Sequence, residues 1–167
     1  VIEAVLLVVL VIFLFLRSAR ATLIPLVTIP VSLVGACIVM AALGYTINTL
    51  TLLGLVLAIG LVVDDAIVVL ENIVRKMELG RPPLLASIEG SQEIGFAVIS
   101  TTAVLVAVFV PISFMPGNVG RLFGEFGISL ATAIAVSGLV ALTLVPMLTS
   151  LLYSGGVKRG RLAAALD

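Results

Sequence analysis

The sequence predicts an all-α fold, a polytopic transmembrane helix bundle of five spans. Three observations lead there. Of 167 residues, 62% are hydrophobic and only 11% are charged, against roughly 25% charged in a soluble domain. Mean hydropathy is +1.38. Several apolar stretches reach or approach about 20 residues, the length of helix that crosses a hydrocarbon core, and none carries the alternation of a strand. Composition also removes classes of chemistry. There is no histidine and one cysteine, Cys37, so no disulfide within the chain, thiolate cluster or histidine-based triad is available. No phosphate loop or nucleic-acid patch appears. No cofactor and no nucleic-acid partner is expected, and membrane lipids are.

Segment one spans about 1–16 and ends at Arg17-Ser18-Ala19-Arg20. It has no Met and no basic leader, so it is not built as a signal peptide, and the start reads as a cut inside a longer polypeptide. Segment two covers about 23–43 and ends at Gly44-Tyr45. Pro25 and Pro30 fall in its first turns, where a missing N–H costs least, and Pro30 is a candidate kink. Segment three begins behind Asn48, a good N-cap. It is apolar over 49–70, continues as an amphipathic helix to Leu79 and stops at Gly80.

The stretch 71–93 is expected to be an amphipathic connector, broken at Pro82-Pro83. Leu84, Leu85 and Ile88 follow helical spacing, which predicts a short helix on the membrane surface. Segment four covers about 94–114, and Met115 to Gly120 carries turn chemistry. Segment five covers about 126–153, with Pro146 as a kink; Arg121 and Glu125 before it are expected in a solvated outer loop. Residues 1–167 read as one transmembrane domain.

Charge placement orients the spans. Arg17 and Arg20, then Arg75, Lys76 and Arg81, then Lys158, Arg159 and Arg161 share one side of a five-span topology, and only Arg121 lies opposite. Eight of nine basic residues on one face is a positive-inside signal. The loop at 17–22, the connector at 71–93 and the C-terminus are therefore expected in the cytoplasm.

Asp64 and Asp65 interrupt the apolar run of segment three. An aspartate at the centre of a spanning helix costs about 2.5–3.5 kcal/mol on insertion scales, and each Leu, Ile or Val returns only about 0.3–0.6 kcal/mol. Two such residues point to a protein interior or a water path, with proton handling as the leading reading. Their Cβ directions differ by about 100°, and so close a pair should titrate as one coupled unit. The competing readings are a buried ion pair with a Lys or Arg from outside these spans, none of which holds a central basic residue, and a metal site, for which two carboxylates supply too few ligands.

The remaining candidates are weaker. Gly54 and Gly60 suggest close helix packing, with flexibility as the second reading. Asn48 and Asn72 cap or flank the helix. Ser100, Thr101 and Thr102 either bond carbonyls of their own helix or line a polar pathway. Glu3 is an interfacial residue or a member of that pathway, and Cys37 is a packing residue.

Three stretches carry a family signature: Arg-Ala-Thr-Leu-Ile-Pro at 20–25, Ile-Asn-Thr-Leu-Thr at 47–51, and Gly-Leu-Val-Leu-Ala-Ile-Gly-Leu-Val-Val-Asp-Asp-Ala-Ile-Val-Val-Leu-Glu-Asn at 54–72. With Phe-Val-Pro at 109–111, they resemble the resistance-nodulation-cell division (RND) superfamily, in its hydrophobe/amphiphile efflux branch of the acriflavine-resistance type. The resemblance implies helices two to six of the first of two transmembrane repeats. It implies that Asp64 and Asp65 match the proton-relay carboxylates of a proton/drug antiporter in the bacterial inner membrane, driven by the proton gradient. Their basic partner would come from the second repeat. The remainder of the same transporter, a homotrimer, a periplasmic adaptor and an outer-membrane channel are implied as partners. The alternatives are an RND relative that exports metal ions or lipids, and a non-transporting membrane subunit that assembles with or regulates a partner.

Overall fold

The computed structural model describes residues 10–11 and 19–154. Segment one therefore lies outside the described residues except at Leu10 and Val11, and Glu3, Arg17, Lys158, Arg159 and Arg161 lie outside them entirely. Four helices follow in chain order: α1 (Ala19–Ala42), α2 (Thr49–Glu78), α3 (Pro83–Phe109) and α4 (Gly117–Leu152), with a 3₁₀ segment at Val110–Phe114 between the last two. Among the described residues these four are long and apolar enough to cross a membrane. The five spans of the sequence reading are thus four in the described part.

Local chemistry sets most of the boundaries. α1 ends in a Schellman motif: Gly44 adopts φ +78°, Tyr45 N–H bonds the Met40 carbonyl at 3.0 Å, and Gly44 N–H bonds Ala41 at 3.1 Å. α2 opens with a capping box. The Asn48 side chain accepts from the Leu50 and Thr51 amides, and the Thr51 hydroxyl accepts from the Asn48 amide at 2.8 Å. It closes with a second Schellman motif, Gly80 at φ +89° and Arg81 N–H on the Lys76 carbonyl. At 30 residues, α2 is about 45 Å long, more than the roughly 30 Å of hydrocarbon it must cross.

Three expected boundaries change. α1 begins at Ala19 rather than near Leu23, so Pro30 falls in its middle; Thr28 Oγ1 donates to the Pro25 carbonyl at 2.9 Å inside that stretch. The expected separate surface helix before segment four does not exist: α3 runs unbroken from Pro83. Its first turns are held against α2 by Asn72 and by close approach of Gly90 to Ile73, which removes any reason to break. At its far end Pro111 cannot donate to Ala107, so the chain tightens into the 3₁₀ segment from Val110. Finally, α4 starts at Gly117, well before Phe126. The turn shrinks to Met115-Pro116, and Arg121 and Glu125 belong to the helix rather than to a loop.

α2 and α4 form the central pair. α1 and α3 each pack against both and do not touch one another. α4 meets α2 with a ridge of small residues spaced four apart, Ser129, Ala133, Ser137, Ala141, Val145 and Thr149, all buried. Of three apolar clusters, one of them a small one at Ile29, Ile59 and Val63, the two larger divide the interior by height. One, toward Asn48, joins Ala36, Leu55, Ala58, Val62, Leu130, Ala133 and Ile134. The other, toward Glu78, joins all four helices around Ala66, Val69, Leu70, Ile73, Ala86, Val98 and Ala141. Asp64 and Asp65 fall at the boundary between them.

Candidate functional site

The helical offset between the two aspartates separates their environments. Asp64 is exposed, and Asp65 is half-buried toward α4. Ser137, itself 2% exposed, places its hydroxyl 3.2 Å from Asp65 Oδ2 and 3.2 Å from the Val62 carbonyl. A serine has one proton to donate, so with Asp65 ionised the two acceptors compete for it. With Asp65 protonated, the carboxyl O–H can donate to Ser137 Oγ while Ser137 donates to Val62, and every group is satisfied. The contact therefore accommodates both protonation states of Asp65 and reverses its hydrogen-bond direction between them.

No ion pair to either aspartate forms among the described residues; the ion pairs there are Arg75 and Lys76 with Glu93, and Arg81 with Glu89. Asp64 lies instead on a face of α2 that no described helix covers. Leu53, Leu57, Gly60, Asp64 and Val68 form that face at spacings of three and four, and all five are exposed. Below it, between α2 and α3, an open cleft of about 280 Å³ is lined by Val68, Glu71, Asn72, Arg75 and Ile94. Among the described residues, no three Cys, Asp or Glu side chains converge as a metal shell.

The two glycines part company. A Cβ on Gly54 would collide with Ser129 Oγ and stand 3.3 Å from the Phe126 carbonyl, so Gly54 is a point of close approach between α2 and α4. Gly60 has nothing within 4 Å of the same position. It does not pack against any described helix, and it sits one turn from Asp64 on the uncovered face.

The three hydroxyls of α3 divide as well. Thr101 Oγ1 donates to the Ala97 and Val98 carbonyls of its own helix, at 3.1 and 3.0 Å. Thr102 Oγ1 is buried without a partner, wedged against Gly138, where an added Cβ would stand 2.7 Å from it. Ser100 is half-buried. Cys37 packs beside the cluster around Ala58 and Ala133. Asn48 caps α2 and its Nδ2 also donates to Glu125 Oε2 of α4. Asn72 bonds α3, as described below.

Ser137 is not singled out by the sequence, and Glu125, expected in a solvated outer loop, instead meets Asn48 from α4. The run of small residues every fourth position in segment five marks the face of α4 that carries Ser137. Nothing local pairs Glu125 with Asn48.

The AcrB/AcrD/AcrF family model matches residues 1–164. The chain is 52% identical over 158 residues, 95% of its length, to a multidrug resistance protein MdtC of Pectobacterium carotovorum, of which it covers 15%. It is 56% identical over 142 residues, 85% of its length, to the MdtC of Photorhabdus laumondii, covering 14%, and 53% identical over 153 residues to that of Klebsiella pneumoniae, covering 15%. The chain thus spans about 15% of the length of the curated relatives it matches.

Proposed function

The chain belongs to the AcrB/AcrD/AcrF family of RND transporters, and from that premise we propose that it forms part of a proton-driven multidrug efflux transporter of the bacterial inner membrane, with Asp64 and Asp65 as the acidic half of its proton relay. The observation that carries this reading is the pair's split environment at mid-helix: Asp65 bonded to Ser137 in an arrangement that suits both protonation states, and Asp64 on an uncovered face. The family's transporter nature supplies the direction of use: a proton taken up by the pair from one side and released to the other, with drug moved the opposite way. The driving force is about 2.3 kcal/mol per charge per 100 mV, so protonation has to tip a helix packing that is already poised between two arrangements.

The uncovered face of α2 is where the rest of the transporter docks, bringing the basic group that pairs with Asp64 from the second transmembrane repeat. Gly60 leaves room for that helix beside the acid. Thr102 is the hydroxyl of α3 that suits a polar pathway, since its oxygen is buried and unbonded; Thr101 satisfies its own helix, and Ser100 and Glu3 remain members of the proposed pathway. Segment one supplies the fifth span. The end of the bundle holding Arg75, Lys76 and Arg81 is cytoplasmic, as basic residues favour. The complete transporter works as a homotrimer with a periplasmic adaptor and an outer-membrane channel, in contact with membrane lipids, and uses the proton gradient without a cofactor.

The test uses a chimera in which this chain replaces the matching segment of the Pectobacterium relative. Asp64→Asn should abolish the drug resistance the chimera confers, with expression unchanged. Resistance at the level of the parent chimera would remove the relay assignment.

A further inference from the structure

The polar ties of α2 change partner along its length. Over its first half they go to α4: Asn48 to Glu125, the Gly54 approach to Ser129 and Phe126, and Ser137 to Val62 and Asp65. Beyond the acidic pair they go to α3. Asn72 is buried, and its amide group is engaged at both ends. Nδ2 donates to the Gly90 carbonyl at 2.8 Å and to Glu93 Oε2 at 3.1 Å, while Oδ1 accepts from Arg75 Nη2 at 2.8 Å. Lys76 Nζ lies 3.0 Å from the same Glu93 oxygen. The backbones close up at the same level, where a Cβ on Gly90 would stand 3.0 Å from Ile73 Cα.

Asp65 and Asn72 are seven residues apart, which on an α-helix is about 10.5 Å along the axis and about 20° in azimuth. They share a face. A rotation of α2 that takes Asp65 off Ser137 sweeps Asn72 through the same angle, so it must either break the bonds to Gly90 and Glu93 or carry α3 with it. Apolar contacts can slide; a buried amide left without partners is costly.

We propose that Asn72 is a positioning residue for the acidic pair: by clasping α2 to Gly90 and Glu93 of α3, it sets the rotation at which Asp65 meets Ser137 and makes the first turns of α3 turn with α2. The clasp stands on geometry alone, and its functional consequence rests on the relay reading above. The charged groups around it are Glu71, Arg75 and Lys76 on α2 and Glu93 on α3. Glu93 is 46% exposed, so water screens its ion pairs and the amide contact is the fixing element.

Two readouts separate the clasp from the relay. The first is amide hydrogen exchange of the chain in lipid nanodiscs. Asn72→Ala should speed exchange over residues 66–78 and 84–93 together, by about tenfold, and leave residues 50–60 as they are. Asn72→Asp keeps the volume but loses the donated bonds, and should do the same if the alanine variant fails to insert. Glu93→Gln keeps an acceptor for Asn72 and should stay within about twofold of the parent. Unchanged exchange in both Asn72 variants, or a change confined to α3, overturns the clasp. The second readout is the pH profile of transport by the chimera. Asn72→Ala should move its midpoint, whereas a lower amplitude at an unmoved midpoint overturns the positioning role. If exchange changes as expected while Asp64→Asn leaves transport intact, the clasp is supported and the relay reading is what fails.

Discussion

Alanine at Gly54 and alanine at Gly60 make the same chemical change on the same helix, six residues apart, in surroundings that differ. Each gains about 1 kcal/mol of helix propensity, so that contribution cancels when the two variants are compared. At Gly60 nothing else follows, because the space a methyl would enter is open. At Gly54 the methyl enters the volume held by Ser129 Oγ and meets the Phe126 carbonyl at 3.3 Å. Either α4 moves away, an overpacking cost of about 1–3 kcal/mol, or Ser129 rotates and gives up the 2.8 Å bond its hydroxyl makes to the Phe126 carbonyl, a loss of about 0.5–1.5 kcal/mol. Gly54→Ala should therefore be less stable than Gly60→Ala by about 0.5–3 kcal/mol, depending on which response is taken. The assay is reversible unfolding of the chain in mixed micelles, followed by circular dichroism, with both variants measured against the parent. Equal stability of the two variants would refute the close α2–α4 approach at Gly54. In the chimera, Gly60→Val should meet the helix proposed to dock beside Asp64 and reduce resistance.

Thr102→Val removes a buried hydroxyl that has no partner, and should leave the unfolding midpoint of the chain unchanged or raised; if transport by the chimera nevertheless falls, Thr102 belongs to the polar path, and if stability falls by more than about 1 kcal/mol its hydroxyl is bonded after all. Asn48→Ala loses the side-chain half of the capping box, where Oδ1 accepts from the Leu50 and Thr51 amides, and the bond to Glu125, while the residue 48 amide still donates to Thr51; it should cost about 1–2 kcal/mol with faster exchange at residues 50–53. Asn48→Asp keeps the cap but faces Glu125, so it should weaken the α2–α4 contact while leaving those amides protected; equal exchange in the two variants would show that the cap is not what holds the first turn.

What could be read from the sequence was what local chemistry decides. Asn48 with Thr51, Gly44 and Gly80 are complete capping signals within a few residues, and α1 and α2 end where they say. The boundary expected at residue 94, between the surface helix of the connector 71–93 and segment four, rested on the polar character of that connector. Asn72, eighteen residues from Gly90, holds that stretch against α2 and lets the helix continue, and polarity cannot report a partner so far along the chain. The start of α4 was misplaced for a similar reason, since Glu125 is polar yet finds Asn48 across the bundle. The acidic pair was legible because two carboxylates in an apolar helix are costly wherever they point. Which of them points inward was not, since that depends on the ridge of α4 that brings Ser137 to Asp65. Gly54 and Gly60 look alike in sequence and differ only in what the fold places opposite them.

The most direct measurement is drug-driven proton movement in vesicles containing the chimera, followed with a pH-sensitive dye across an imposed gradient. The parent should release protons on addition of drug, while Asp64→Asn and Asp65→Asn, each inserted to the same level, should show none. Proton movement undiminished in both variants would contradict the assignment of this pair to the relay.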